Sequence, residues 1–194
     1  LDAKLHKSMC IELKRLQEKV GITFIHVTHN QEEAMTVADD MAIIADGRLV
    51  EAGNAAELYE NPVERFTADF IGENNIFDGS VKSITEENVI VDLGFKTINV
   101  LKRGKTISIG DDVSVSIRSE LLRIVDENEP GENLPGMFDE NVYLGLTTSD
   151  LVTLPNGQGI VARRISDGSE PLDFRRGDIV RIGWNTVDGR LHLR

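Results

Sequence analysis

The sequence predicts an α/β segment over residues 1–72 followed by an all-β module over residues 73–194. Three observations carry this reading. Residues 3–20 repeat apolar side chains at helical spacing, and residues 22–28 form a continuous β-branched and aromatic run. Asp46-Gly47 separates two short apolar runs, a strong signal for a tight hairpin. From Asn75 onward helical periodicity ends, and short runs alternate with Gly, Asp and Asn turns, the texture of a small barrel or sandwich.

The elements follow in order. Leu5, Met9, Leu13, Leu16 and Val20 are spaced by threes and fours, which places them on one helix face, with Asp2 as N-cap and Gly21 as the stop. Residues 22–28 read as a strand buried on both faces, ending at His29. Residues 31–38 open a short helix with acids in its first turn. Residues 41–45 and 48–51 are the hairpin strands. Asn54 caps a helix through Tyr59, and Pro62 suits the first turn of another that ends near Gly72. Ten strands are expected beyond: 76–83, 88–93, 96–101, 112–118, 121–125, 141–146, 149–154, 159–165, 178–184 and 190–194. The acidic, turn-rich stretch 126–135 reads as an exposed loop between two strand sets. Residues 110–117 (GDDVSVSI) echo residues 177–184 (GDIVRIGW), a turn followed by an alternating strand. That echo fits an internal duplication or a coincidence of local pattern.

Composition narrows the function. The formal charge is −12, and each of the two parts carries −6. Neither part is the basic module that phosphate-backbone binding demands, so a nucleic-acid partner is not expected. Cys10 is the one cysteine, which excludes an internal disulfide and a Cys-rich zinc site and fits a reduced, intracellular setting. No apolar run approaches the ~18 residues of a membrane span. The chain starts at Leu1 and enters a helical pattern at once, which reads as a sequence joined partway through a domain.

Several side chains could carry chemistry. His29 stands past the carboxyl end of a predicted strand, where ligands bind in open α/β sheets, and its imidazole could face an anion or an attacking water. The plainer reading is a loop histidine with a local hydrogen bond. His26 and His29 lie three apart, on opposite strand faces, which argues against a shared metal and for His26 as a core histidine. Glu32 and Glu33 could form an acid/base pair, or serve the helix dipole. Trp184 could stack a ligand or fill the core. Arg163-Arg164 and Arg175-Arg176 could hold an anion or be solvated surface. No G-x-x-x-x-G-K-[ST] and no G-x-G-x-x-G occurs.

Residues 1–5 (LDAKL) and 24–34 (FIHVTHNQEEA) resemble the ATPase subunits of ATP-binding-cassette (ABC) importers. Further matches follow in order: Asp46-Gly47-Arg48, Gly53, residues 57–59 (ELY), Asn61-Pro62 and 66–72. Residues 75–81 (NIFDGSV), 116–120 (SIRSE), 143–145 (YLG) and 177–184 resemble the TOBE module, an OB-like β domain appended to a subclass of these ATPases. Polyamine importers are the nearest subclass by this resemblance, with ferric iron, thiamine and sugar importers as relatives. Asn30 stands where an Asp is usual, and Glu51 where a Gln is common.

The resemblance implies a fold and a mechanism. Residues 1–72 would be the C-terminal remnant of a P-loop ATPase domain, and residues 73–194 a regulatory or dimerisation domain. His29 would contact the γ-phosphate and help position the attacking water, and Asp2 would belong to the D-loop that crosses to a second ATPase subunit. ATP and Mg²⁺ would serve the full-length parent. In the family the phosphate loop, signature motif and catalytic Glu lie before the segment matched here, so the fragment alone is expected to be inactive and without cofactor. Expected partners are a second copy of the ATPase, transmembrane permease subunits and, indirectly, an extracytoplasmic solute-binding protein, at the cytoplasmic face of the inner membrane. Two other readings compete: a β module that senses a small ligand, and one that holds ATPase subunits together. The broken sheet and the paired working state of such ATPases predict at least a dimer.

Overall fold

The computed structural model describes residues 3–126, 129–166 and 173–194. The chain divides into two units, Leu1–Gly72 and Glu73–Arg194.

In the first unit, α1 (Ala3–Val20) runs as the apolar spacing predicts and stops at Gly21, whose φ is +70°. Its expected N-cap, Asp2, lies outside the described residues. Leu5, Met9, Leu16 and Val20 are exposed, while Cys10 is buried. Residues 22–28 correct the prediction: they form no strand, and Ile25 and Val27 are more than 90% exposed. A run of β-branched residues becomes a strand only when a neighbour satisfies its N–H and C=O groups. Among the described residues none pairs with it, and none of the strand pairs is parallel.

Helix α2 (Gln31–Val37) is capped by Asn30, whose Oδ1 accepts from the Glu33 N–H at 3.1 Å. Asparagine thus performs the capping that an aspartate would. Strands β1 (Asp40–Ala45) and β2 (Arg48–Asn54) form the hairpin, with positive φ at both Asp46 and Gly47, as a two-residue primed turn requires. Asn54 caps α3 (Ala55–Glu60) through the Ala56 N–H. Helix α4 begins at Arg65 (Arg65–Phe70), not at Pro62. The Glu51 carboxylate explains the delay: it accepts from the N–H groups of Val63 and Glu64, at 3.0 and 3.1 Å, and holds this stretch in a bend. Ile43, Leu58 and Ile71 make the small core of this unit.

The second unit is two five-stranded antiparallel sheets. Its strands are β3 (Asn74–Ile84), β4 (Asn88–Asp92), β5 (Thr97–Leu101), β6 (Asp112–Arg118), β7 (Arg123–Val125), β8 (Glu132–Tyr143), β9 (Thr147–Thr153), β10 (Gly159–Ile165), β11 (Ile179–Trp184) and β12 (Arg190–Leu193). One sheet has the order β12-β6-β3-β4-β5 and the other β10-β9-β8-β11-β7. Each of the ten predicted strands overlaps an observed one, but the strand predicted at 141–146 shares only residues 141–143 with β8, and residues 144–146 are not strand. A 3₁₀ turn takes Ser119–Leu121, so β7 starts at Arg123. Strand β8 begins at Glu132, inside the predicted loop, and includes Pro135. Phe138 exchanges hydrogen bonds toward the β11 side, so before the bulge the odd-numbered β8 residues turn their backbone groups toward β9. The β9 pairing starts only at Met137, so the absent proline N–H breaks no ladder bond.

The sequence echo is the trace of a structural repeat. Gly110 and Asp111 exchange backbone hydrogen bonds with Val81, and Gly177 and Asp178 do the same with Phe138. The Asp111 carboxylate accepts from the Ser108 N–H, and that of Asp178 from the Arg175 N–H, both at 2.8 Å. Bulges fall at matching places, between Val81 and Ser83 and between Phe138 and Glu140. The last strand of each copy crosses over: β7 pairs with β11, and β12 with β6. Asn75 in β3 bonds both the N–H and the C=O of Val161 in β10, at 2.8 Å each. Glu132, its counterpart in β8, binds the N–H and side chain of Asn99 in β5, at 3.0 Å each. Side chains thereby close the edge of the opposite copy. Phe77, Val91, Val115, Leu134, Val152, Ile182 and Trp184 belong to one continuous core shared by both sheets.

Candidate functional site

His29 sits at a bend between residues 22–28 and α2, with its side chain exposed. The loop that presents it is tied down on both sides. Thr28 Oγ1 donates to Glu33 Oε2 at 2.5 Å and accepts from the Asn30 N–H at 3.0 Å. His26 Nε2 lies 3.0 Å from Glu33 Oε1. The Glu33 side chain is only 16% exposed and gathers the residues flanking His29. His26 is therefore a partly exposed partner of Glu33 rather than a core histidine.

A second clamp holds the other side. Gln31 donates from its amide to the Phe70 carbonyl, and its Oε1 accepts from the Gly72 N–H at 2.8 Å. The start of α2 is thus bonded to the last residues of the first unit. Glu32 points elsewhere and meets Lys7 at 3.3 Å on the surface, so Glu32 and Glu33 are not an acid/base pair. Asp2 lies outside the described residues. Sequence reasoning missed Gln31 and Glu33 as loop supports, because their partners are set by tertiary contact.

In the β unit, Trp184 is 1% exposed and stacks on Phe77 with ring centroids 6.1 Å apart, so it fills the core. Arg163 pairs with Glu73 at 3.0 Å, and Arg164 with the buried Asp150 at 3.3 Å. These two arginines secure the fold, and Arg175 and Arg176 are exposed. A shallow cleft of about 520 Å³ opens beside Glu86, Glu87 and the 101–107 loop. Arg103 and Lys105 in that loop are turned onto the carbonyls of Val187 and Leu191. Among the described residues no three His, Cys, Asp or Glu side chains are grouped to hold a metal ion, and no helix is long and apolar enough to cross a membrane.

Residues 115–191, within the duplicated β unit, match the TOBE domain family. Over 95% of its length the chain is 40% identical to the spermidine/putrescine import ATP-binding protein PotA of Rubrobacter xylanophilus, and it covers 49% of that protein. The PotA proteins of Marinobacter nauticus (36% identity, 97% of this chain, 50% of theirs) and Ruegeria pomeroyi (37%, 95% and 49%) give the same picture. The chain spans about half the length of the curated relatives it matches. The resemblance to ABC import ATPases with a TOBE domain, and to the polyamine group among them, is therefore found over nearly the whole chain. The fold also resembles the molybdate-bound form of the cytoplasmic molybdate-binding protein ModG. The TM-score is 0.55 at 15% identity, over 64% of this chain and 99% of that one. That likeness is one of fold alone.

Proposed function

We propose that this chain is the C-terminal part of the ATP-hydrolysing subunit of an ABC importer that takes up a polyamine of the spermidine/putrescine class. The observation that carries the reading is the identity of 34–40% to import ATP-binding proteins across 94–98% of the chain. In this reading residues 1–72 are the end of a P-loop ATPase domain and residues 73–194 its regulatory or dimerisation domain.

The geometry supports a positioning role for His29. His29 lies on a loop whose flanking residues are tied by Glu33 and Asn30, so its backbone is placed before substrate arrives. In this reading its imidazole N–H stabilises charge on a transferring γ-phosphoryl group and orients the attacking water, which is most of what phosphoryl transfer asks of a protein. Asp2 serves the D-loop toward a second copy of the subunit. Magnesium accompanies ATP in the parent, and the described residues offer no cluster to hold it. The chain by itself neither hydrolyses ATP nor binds it tightly, because no phosphate loop is in its sequence. Permease subunits hold the parent at the cytoplasmic face of the inner membrane, and the extracytoplasmic binding protein acts through them. The exposed apolar residues of 22–28 in turn favour association with another chain.

Steady-state ATPase assays on the parent with and without His29→Ala test the role. The expected result is a kcat lower by about 10²-fold with KM for ATP little changed, the signature of a contact made mainly in the transition state. Unchanged turnover makes His29 a bystander.

A further inference from the structure

Gln31 opens α2 just after the His29-Asn30 bend, and its side chain is half-buried. Its amide holds two backbone groups that lie 39 and 41 residues further along the chain. Nε2 donates to the Phe70 carbonyl, and Oε1 accepts from the Gly72 N–H at 2.8 Å. These groups flank Ile71, so the amide pairs with the stretch as one peptide group of a parallel strand would. That match explains the residue type. Glutamate has no donor for the Phe70 carbonyl, methionine offers neither hydrogen bond, and asparagine is shorter by a methylene.

The stretch that Gln31 grips is itself held in place. The Ile71 side chain lies in the small core with Ile43 and Leu58, and its N–H donates to the Thr67 carbonyl at 2.9 Å, closing α4. The rings of Phe66 and Phe70 stack along that helix with centroids 5.8 Å apart. Gly72 then takes a φ of +71°, a turn that an L side chain resists. The bonds that Glu33 and Asn30 make around His29 are of another kind. They run from Thr28 and His26 to the Glu33 carboxylate, and from the Glu33 N–H to Asn30. All of them fall within residues 26–33, so they give the loop its shape and do not place it against the core. The Lys7–Glu32 pair does reach α1, but both side chains are exposed, and such a pair holds α2 weakly.

We propose, resting on the role given to His29 above, that Gln31 is a positioning residue for that histidine. Its amide fixes the histidine-bearing loop against residues 70–72, and turnover depends on that placement. Phosphoryl transfer is catalysed mainly by positioning, and a displacement of about 1 Å set up away from the chemistry can cost about 10²-fold. Gln31 itself does not meet the reacting atoms, because its amide is turned onto Phe70 and Gly72. It acts through His29, so its effect on turnover vanishes once the imidazole is removed.

Steady-state ATPase assays on the full-length parent carrying His29→Ala, Gln31→Met, Gln31→Glu or His29→Ala with Gln31→Met test this. Gln31→Met should lower kcat about tenfold and change KM for ATP by less than about twofold. On the His29→Ala background the same substitution should change kcat by less than about twofold, whereas a mere brace for the fold would lower both backgrounds alike. Gln31→Glu keeps the acceptor for the Gly72 N–H and suits the first turn of α2, so its kcat should fall between those of the parent and Gln31→Met. A second readout needs no ATPase. In the unsubstituted 194-residue chain the Gly72 amide should exchange with deuterium about tenfold or more slowly than in the chain carrying Gln31→Met. A lowered kcat in His29→Ala with none in Gln31→Met, additive losses in the double variant, or equal Gly72 exchange in the two chains overturns the proposal and leaves the role of His29 standing. Unchanged turnover in His29→Ala removes that role, and the proposal with it.

Discussion

Gly79→Ala should destabilise the β unit, and the reason is a backbone atom. A Cβ at Gly79 would stand 2.5 Å from the Asp92 carbonyl oxygen, 2.8 Å from Val91 Cγ1 and 3.1 Å from Leu93 Cδ2. Asp92 is paired with both β3 and β5, so its carbonyl cannot retreat without loosening two ladders. Alanine in a strand gains about 0.5–1 kcal/mol over glycine from backbone entropy. Overpacking against an immovable neighbour costs about 1–3 kcal/mol and at this separation falls at the upper end, so the net loss is about 2 kcal/mol. For a unit of this length that lowers Tm by roughly 8 °C. The counterpart Gly136 differs in kind: its added Cβ would collide with Cγ1 of Val152, a side chain. Val152→Ala should therefore rescue part of the Gly136→Ala loss, with a favourable coupling of about 1 kcal/mol or more. Gly159, where a Cβ meets nothing within 4 Å, is the control. The assay is thermal unfolding followed by circular dichroism. A Tm for Gly79→Ala equal to or above that of the parent refutes the packing argument.

Three further outcomes are expected. Asn54→Ala removes the cap of α3 and should cost about 1 kcal/mol, read as a lower urea midpoint for the first unit. Because burial and the nearby Arg181 guanidinium hold native Lys96 below the 10.5 of an ordinary lysine, the unfolded chain binds more protons between those values. The parent should then gain stability relative to Lys96→Gln as pH rises through that window, and a flat difference contradicts it. Residues 73–194 should fold cooperatively alone, since one continuous core joins their two sheets, whereas residues 1–72, with a core built around Ile43, Leu58 and Ile71, should not. Cooperative unfolding of isolated 1–72 would contradict this.

What the sequence discloses depends on how local the cause is. The Asp46-Gly47 turn, the Asn54 cap and the alternation of most strands of the second unit are written within a few neighbouring residues and appear where they are expected, whereas β8 starts inside the stretch read as a loop. The run 22–28 has strand composition, but pairing is a property of a neighbour, and among the described residues that neighbour is missing. The echo between 110–117 and 177–184 is legible as a pattern. The exchange of β7 and β12 between the copies is not, because short strands carry no mark of their partner. His29 is legible through its motif-bearing loop. Glu33 and Gln31 read only as helix-start polar residues until Thr28, Phe70 and Gly72 are seen against them. Lys96 and Arg181 are distant in sequence and meet at the Asn133 amide oxygen only because β5 and β11 belong to sheets facing one core.

Under the proposed function this sequence belongs to the ATPase of a polyamine importer, with His29 at the nucleotide. The most direct measurement is uptake of radiolabelled spermidine by cells in which the gene carrying this sequence has been deleted and then restored. Deletion should abolish ATP-dependent uptake, the unaltered gene should restore it, and a gene encoding His29→Ala should leave it reduced by about 10²-fold while the protein accumulates normally. Undiminished spermidine uptake in the deletion strain would contradict the importer reading, and full uptake with His29→Ala would contradict the role assigned to the histidine.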